Sequence, residues 1–204
     1  MKKIASLFKR DYDGSRLVLD EIVPGSEWVL AGEGVATEKF DGTACMVRGG
    51  KLFKRYDRKP NKRTWKAHVK GEPWTAGEFN PAPDAWEACE EAPNLHTGHW
   101  PGWMPVGDGP EDKWFRDAWE KTEPLDDGTY ELVGPKIGAN PHRLDCHVFW
   151  KHGSKKLLDV PTSYHGLLRY LSGQEIEGIV WHHPDGRMVK IKRRDFGLDW
   201  PSPR

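Results

Sequence analysis

The positions that could do chemistry are charged side chains set inside short β-prone runs. Glu38-Lys39-Phe40-Asp41-Gly42-Thr43 places an amine beside a carboxylate where a strand gives way to an Asp-Gly turn. Such an amine can act as a nucleophile when neighbouring cations or burial favour its neutral form. Alone, a Lys-x-Asp-Gly segment is better read as an exposed turn with a local ion pair. Three further segments carry related patterning: Tyr130-Glu131-Leu132-Val133-Gly134, Glu177-Gly178-Ile179-Val180 and Lys190-Ile191-Lys192. Strand alternation sends the ammonium groups of Lys190 and Lys192 to one face and Ile191 to the other. Singly, each segment also fits an ordinary amphipathic strand, with lysines guarding an edge. Together, and in this order, they form a far more specific set.

The elements that must position these residues are mostly strands. Val35 to Lys39, Thr43 to Arg48 and Lys51 to Tyr56 read as three of them, the last two joined by Gly49-Gly50 in a type I′ hairpin turn. Thr129 to Gly134 and Cys146 to Trp150 add two more. Gly178 to His182 and Met188 to Lys192 flank Pro184-Asp185-Gly186, a second hairpin signature. Pro161 to Ser172 reads as a helix with Leu167, Leu168 and Leu171 on one face and Gly173 as its stop. Pro110 to Lys121 reads as another, pairing Trp114 with Ala118 and Phe115 with Trp119 at i, i+4. Pro73 to Gly109 shows neither period and must be an ordered insertion or a functional loop. Antiparallel strands with a few helices indicate an α+β domain rather than a doubly wound parallel sheet.

At 204 residues the chain suits a single domain, residues 1–204, with a Trp/Pro-rich insertion at about 65–125 that contains seven of the eleven tryptophans. Acids and bases balance at 31 each, so no global field steers the protein to nucleic acid or anionic lipid. Charge is nonetheless segregated. Arg48 to Lys70 holds ten bases against Asp57, Glu72 to Glu131 holds fifteen acids against three bases, and Arg187 to Arg194 holds five bases and no acid. Each block alone fits a solvated face, but two basic blocks divided by an acidic one can meet around one anionic ligand. No run reaches the roughly 18 apolar residues of a membrane span. Met1 to Arg10 lacks the apolar stretch of an export signal, and three widely spaced cysteines suit a reducing compartment. A cytoplasmic protein without membrane contact is expected, with a monomer as the default. Cys89, His96, His99, Cys146 and His147 are zinc-type ligands, but their spacing matches no standard pattern.

The order of the charged segments resembles the signature of the covalent nucleotidyltransferases, the superfamily of polynucleotide ligases and mRNA capping enzymes. Lys39 to Gly42 resembles the nucleophile motif and Arg55 a basic residue that often follows it. Glu131 resembles the ribose-binding glutamate, Glu177 to Val180 the acidic strand motif, and Lys190 with Lys192 the paired lysines of the last motif. A closer resemblance is to the ATP-dependent 5′–3′ RNA ligase family of vertebrates. It rests on Asp57 to Lys62, Pro101 to Val106, Asn140-Pro141, Ile176 to His182 and Gly197 to Pro201.

This resemblance implies a nucleotidyltransferase (ligase adenylation) fold and a three-step reaction. Lys39 attacks the α-phosphorus of ATP, AMP passes to an RNA 5′-phosphate, and an RNA 3′-hydroxyl displaces AMP, as in RNA repair. Lys190 and Lys192 are then expected on the α-phosphate, Asp41 and Glu177 on Mg²⁺ (with Mn²⁺ as a substitute), and Glu131 on the ribose. Glu38 is expected at the adenine edge, Arg55 near a phosphate or ribose, and Ile179 or Phe149 against the base. The basic run through Arg58, Lys59, Lys62 and Arg63, interleaved with Tyr56 and Trp65, suits an RNA backbone. Twelve residues follow Lys192, too few for an oligonucleotide-binding barrel, so the first 34 residues or the insertion must supply what a barrel gives other ligases. Ala44 stands where many phage nick-sealing RNA ligases carry a polar side chain. Other nucleotidyl transfers (DNA nick sealing, capping, protein adenylylation) and a non-catalytic RNA- or nucleotide-binding module are the alternatives.

Overall fold

The computed structural model describes residues 1–68 and 72–201. Residues 69–71, at the distal end of the basic block and inside the Trp/Pro-rich insertion, lie outside the described set. The described residues form an α+β arrangement of mainly antiparallel sheets, with no closed barrel among them. They divide into two compact units, one of Met1–Lys3 with Thr43–Leu132, the other of Ile4–Gly42 with Val133–Arg204. None of the described helices is long and apolar enough to cross a membrane.

The second unit is built on a four-stranded sheet in the order Ala5–Ser6, Met188–Lys192, Gly178–His182, Val35–Lys39. The first pair is parallel and the other two are antiparallel. Alternation sends Ile179, Trp181, Val189 and Ile191 to one face, where they join Leu167 and Leu171 of the helix Tyr164–Ser172 in the core. Burying each such aliphatic side chain contributes about 1.5–3 kcal/mol. The helix starts three residues later than Pro161, because Ser163 caps it by accepting the Gly166 N–H at 3.3 Å. Sequence patterning reveals no element in the first 34 residues, yet Phe8–Arg10 pairs with Val18–Ile22, and Leu7, Phe8, Val18, Trp28 and Val29 enter the same core. Strands this short present too few positions for a period to register.

The first unit carries an antiparallel sheet in the order Gly128–Val133, Thr43–Arg48, Lys51–Arg58, Trp100–Pro105, Glu87–Ala88. Gly49 and Gly50 have φ of 56° and 70°, both positive as a type I′ turn requires. The Lys51 strand continues to Arg58 because Asp57 and Arg58 find partners in Pro101 and Trp100. The aperiodic stretch is ordered by aromatic packing. Trp74, Phe79 and Trp103 are buried, Trp65 stacks on Trp74 at 5.3 Å, and Trp86 meets Trp100 edge-on at 5.5 Å. A 3₁₀ turn, Pro110–Asp112, leads into the helix Lys113–Glu120, and the buried Asp112 carboxylate accepts from Gly107 N–H at 2.8 Å and Lys54 Nζ at 2.6 Å.

Candidate active site

Strand register brings the predicted nucleophile and one of the paired lysines to the same row of the sheet. Gly178 lies opposite Lys39 on one side and opposite Lys192 on the other. Cross-strand partners point to the same face, and so do residues two apart, so Lys39, Lys190 and Lys192 share a face with Thr37 and Val180. Gly178 permits close approach of the strands: a Cβ there would sit 2.1 Å from the carbonyl oxygen of Ile191. Glu177, one residue earlier, has a side chain only 5% exposed. Its Oε2 lies 2.5 Å from Lys39 Nζ and its Oε1 2.7 Å from Lys192 Nζ. A single buried carboxylate therefore bridges two ammonium groups and leaves the trio with one net positive charge. Lys39 Nζ also donates to the carbonyl of Phe40 at 3.1 Å.

Asp41 is held from two sides. Its backbone N–H donates to His142 Nε2 at 3.0 Å, and its Oδ2 accepts from Trp200 Nε1 at 2.8 Å. Burial pushes the His142 imidazolium pKa down, against the opposing pull of the Glu38, Asp41 and Glu177 carboxylates. A neutral imidazole is what an Nε2 acceptor requires. Trp150 packs edge-on to both His142, at 4.7 Å, and Phe40, at 4.9 Å, so the turn after Lys39 rests on an aromatic bed. Asp41 and Glu177 are hard oxygen donors. Lys39 and Lys192 take both Glu177 oxygens, so a magnesium ion, which takes one or two carboxylates plus water, would share or displace those ammonium contacts.

Glu38 and Ile179 are not brought to this face. They lie opposite each other on the reverse face, where Ile179 is fully buried in the core and the buried Glu38 carboxylate is ion-paired with Lys155. Val180 and Thr37 take the positions beside the lysines that the sequence reading gave to Ile179 and Glu38. Alternation back from Lys39 gives Thr37, whereas the facing of Val180 follows only from the register that sets Gly178 opposite Lys39. His142 and Lys155 had no local signal, and Trp200 appeared only as part of the Gly197 to Pro201 segment.

In the first unit, Glu131 pairs with Ala44 and Phe53 with Met46, so Ala44, Met46, Glu131, Phe53 and Arg55 share one face. Glu131 is buried, and Arg55 is held by Asp57 Oδ1 at 2.9 Å and the Met1 carbonyl at 3.1 Å. Of the predicted RNA contacts, Lys59, Lys62 and Arg63 are exposed. Arg58 is instead set against Trp86 and Trp100, 5.0 and 4.4 Å from their ring centres, and donates to the Asn80 carbonyl. Its guanidinium serves the aromatic cluster. Phe149, in the second unit, is half-buried on the strand Val148–Lys151. Among the described residues, no three His, Cys, Asp or Glu side chains converge as a metal cage, and Cys89 lies 2.8 Å from the Met1 amino group.

Comparison with known proteins identifies the family. A family model described as RNA ligase 1 matches residues 117–204, a segment that holds Glu131, Glu177, Lys190 and Lys192. The chain is 32% identical over 224 aligned positions to a protein named RNA ligase 1 from Rattus norvegicus, covering 83% of this chain and 69% of that one. The Pongo abelii protein of the same name is 33% identical with the same coverage, and that of Danio rerio is 31% identical, covering 95% of this chain and 77% of its own. The chain belongs to the RNA ligase 1 family.

Proposed function

We propose that this protein is an ATP-dependent RNA ligase with a nucleotidyltransferase fold, working through an adenylate on Lys39. The observation that carries the reading is the trio of Lys39, Glu177 and Lys192, drawn onto one row of a sheet by Gly178 in a chain of this family. In the first step Lys39 Nζ, having released Glu177 and a proton, attacks the α-phosphorus of ATP. An N–P bond forms, the bond to the β-phosphate bridge breaks, and pyrophosphate leaves. Lys192 and Lys190 lie on the same face as the nucleophile, where charge accumulates on the phosphorus oxygens. An RNA 5′-phosphate oxygen then takes the AMP from Lys39, breaking the N–P bond. Finally an RNA 3′-hydroxyl attacks that 5′-phosphate and AMP departs.

Asp41 and Glu177 would hold Mg²⁺, or Mn²⁺ in its place, and the ion would supply neutralising charge beside the phosphates. Trp200 and His142 fix Asp41 for that role. Val180, a buried residue, rather than Ile179 is the apolar residue on the nucleophile's face, and it is assigned to lie beneath the base. Glu131 and Arg55 are assigned to the ribose and a phosphate. Glu38, paired to Lys155, supports the strand that ends in Lys39. All three cysteines are free, as a reducing cytoplasm would keep them.

The test is incubation with ATP labelled at the α-phosphate and a divalent ion. Acid-labile, alkali-stable label should appear on the wild-type chain and be absent from Lys39→Ala. Absence of label on the wild type, or equal label on the variant, overturns the reading. Chasing the labelled protein with 5′-phosphorylated RNA and DNA strands separates RNA joining from DNA sealing.

A further inference from the structure

The short helix Lys62–Ala67 in the first unit presents an aromatic ring that the fold leaves in water. Asn61 caps it, accepting the N–H groups of Arg63 and Thr64 at 3.1 and 3.0 Å. The Asn61 N–H in turn donates to the Glu78 carbonyl at 2.8 Å, which ties the helix to the neighbouring 3₁₀ turn Ala76–Glu78. Trp65 stacks on Trp74 with ring centres 5.3 Å apart and planes 18° from parallel. Trp74 is 4% exposed, whereas Trp65 is 55% exposed. One indole thus forms a fixed floor, and the other lies on it with its remaining surface open. Lys62, Arg63 and Lys66 on the same helix are exposed, and Lys62, three residues before Trp65, is its neighbour on the helix surface.

An open π surface on a helix that carries three exposed cations fits an unpaired nucleobase, whose face stacks on the indole while its flanking phosphates meet ammonium and guanidinium groups. Duplex RNA presents its phosphates but keeps its base faces within the stack. A peptide partner selected by three cations would be acidic and would have no particular use for the open ring.

We propose that Trp65 is a stacking platform for an unpaired nucleotide of the RNA substrate, with Lys62, Arg63 and Lys66 holding the adjacent phosphates. This rests on the RNA-ligase reading for the kind of nucleic acid bound. It deepens that reading by making the substrate single-stranded at the nucleotide that reaches Trp65.

The experiment measures binding of a 5′-phosphorylated single-stranded RNA, and of the same strand in a blunt duplex, by fluorescence anisotropy at fixed salt. Trp65→Ala should weaken single-strand binding about tenfold, ~1.4 kcal/mol, while changing duplex binding less than about twofold. Trp65→Phe should keep most of the affinity. A 2-aminopurine in the strand should be quenched by the wild type and by Trp65→Phe but not by Trp65→Ala. Lys66→Glu should weaken single-strand binding and flatten its salt dependence. Equal single-strand affinity for the wild type and Trp65→Ala overturns the platform, as does equal loss for single strand and duplex. Wild-type RNA binding together with loss of affinity for anionic vesicles in Trp65→Ala also overturns it, in favour of a membrane contact. If the wild type takes no label from ATP yet the single-strand preference still depends on Trp65, the ligase reading fails and the platform stands.

Discussion

Replacing Gly178 by alanine puts a Cβ 2.1 Å from the Ile191 carbonyl oxygen and 2.8 Å from the Lys192 Cα. Comfortable carbon contacts lie at about 3.5–4.0 Å, so the two strands must part by roughly 1 Å. Both obstacles are backbone atoms, and no side-chain rotation can relieve them. Overpacking of this kind costs about 1–3 kcal/mol of stability. The displaced strand carries Lys192, and Glu177 adjoins the altered residue, so the bridge from Lys39 through Glu177 to Lys192 is distorted with it. A misplacement near 1 Å at a reacting centre costs on the order of 100-fold in rate. Timed labelling of Gly178→Ala with α-labelled ATP at saturation should therefore show about a 100-fold slower first step, and urea unfolding the predicted loss of stability. Gly173→Ala is the control, since a Cβ there meets nothing closer than the Tyr170 carbonyl oxygen at 3.7 Å, and it should label at the wild-type rate. Labelling of Gly178→Ala within about threefold of wild type would refute the claim that strand spacing positions the amine.

Trp200→Phe keeps the ring but deletes the donor to Asp41 Oδ2. Losing a hydrogen bond to a charged group costs about 1.5–3 kcal/mol, which should appear as a raised magnesium requirement for labelling, checked by titrating the ion at fixed ATP. Leu171→Ala opens a fully buried site in the core beneath the sheet and should cost about 2–5 kcal/mol, read from the urea midpoint. His99, His142 and His182 all have pKa values lowered from 6.5, chiefly by burial. The unfolded chain then binds protons that the folded chain refuses, so stability is full above about pH 6.5 and falls as the pH drops below it. Unfolding midpoints at pH 7.5 and 5.5 test this, and a higher midpoint at the lower pH would contradict it.

Much of the active-site scaffold was legible in local patterning. The strands ending in Lys39 and holding Lys190 with Lys192, the Gly49-Gly50 turn, and the helix closed by Gly173 all follow from side-chain alternation and turn chemistry, which depend on neighbours along the chain. That Lys190 and Lys192 share a face needs only the two-residue repeat of a strand. Ile179, expected against the base, proved to lie on the reverse face only once Gly178 was found opposite both Lys39 and Lys192, because register is set by non-local pairing. Equally invisible were the partners of Asp41, which lie 101 and 159 residues away in His142 and Trp200. The same holds for Arg58, read as an RNA contact within a basic run but drawn between two indoles by the packing of the insertion. Residue types in their order along the chain carried the resemblance that grouped an amine, a carboxylate and two further amines. Only tertiary pairing decided that one buried carboxylate would stand between Lys39 and Lys192, since the energy of that contact depends on distance in space and not along the chain.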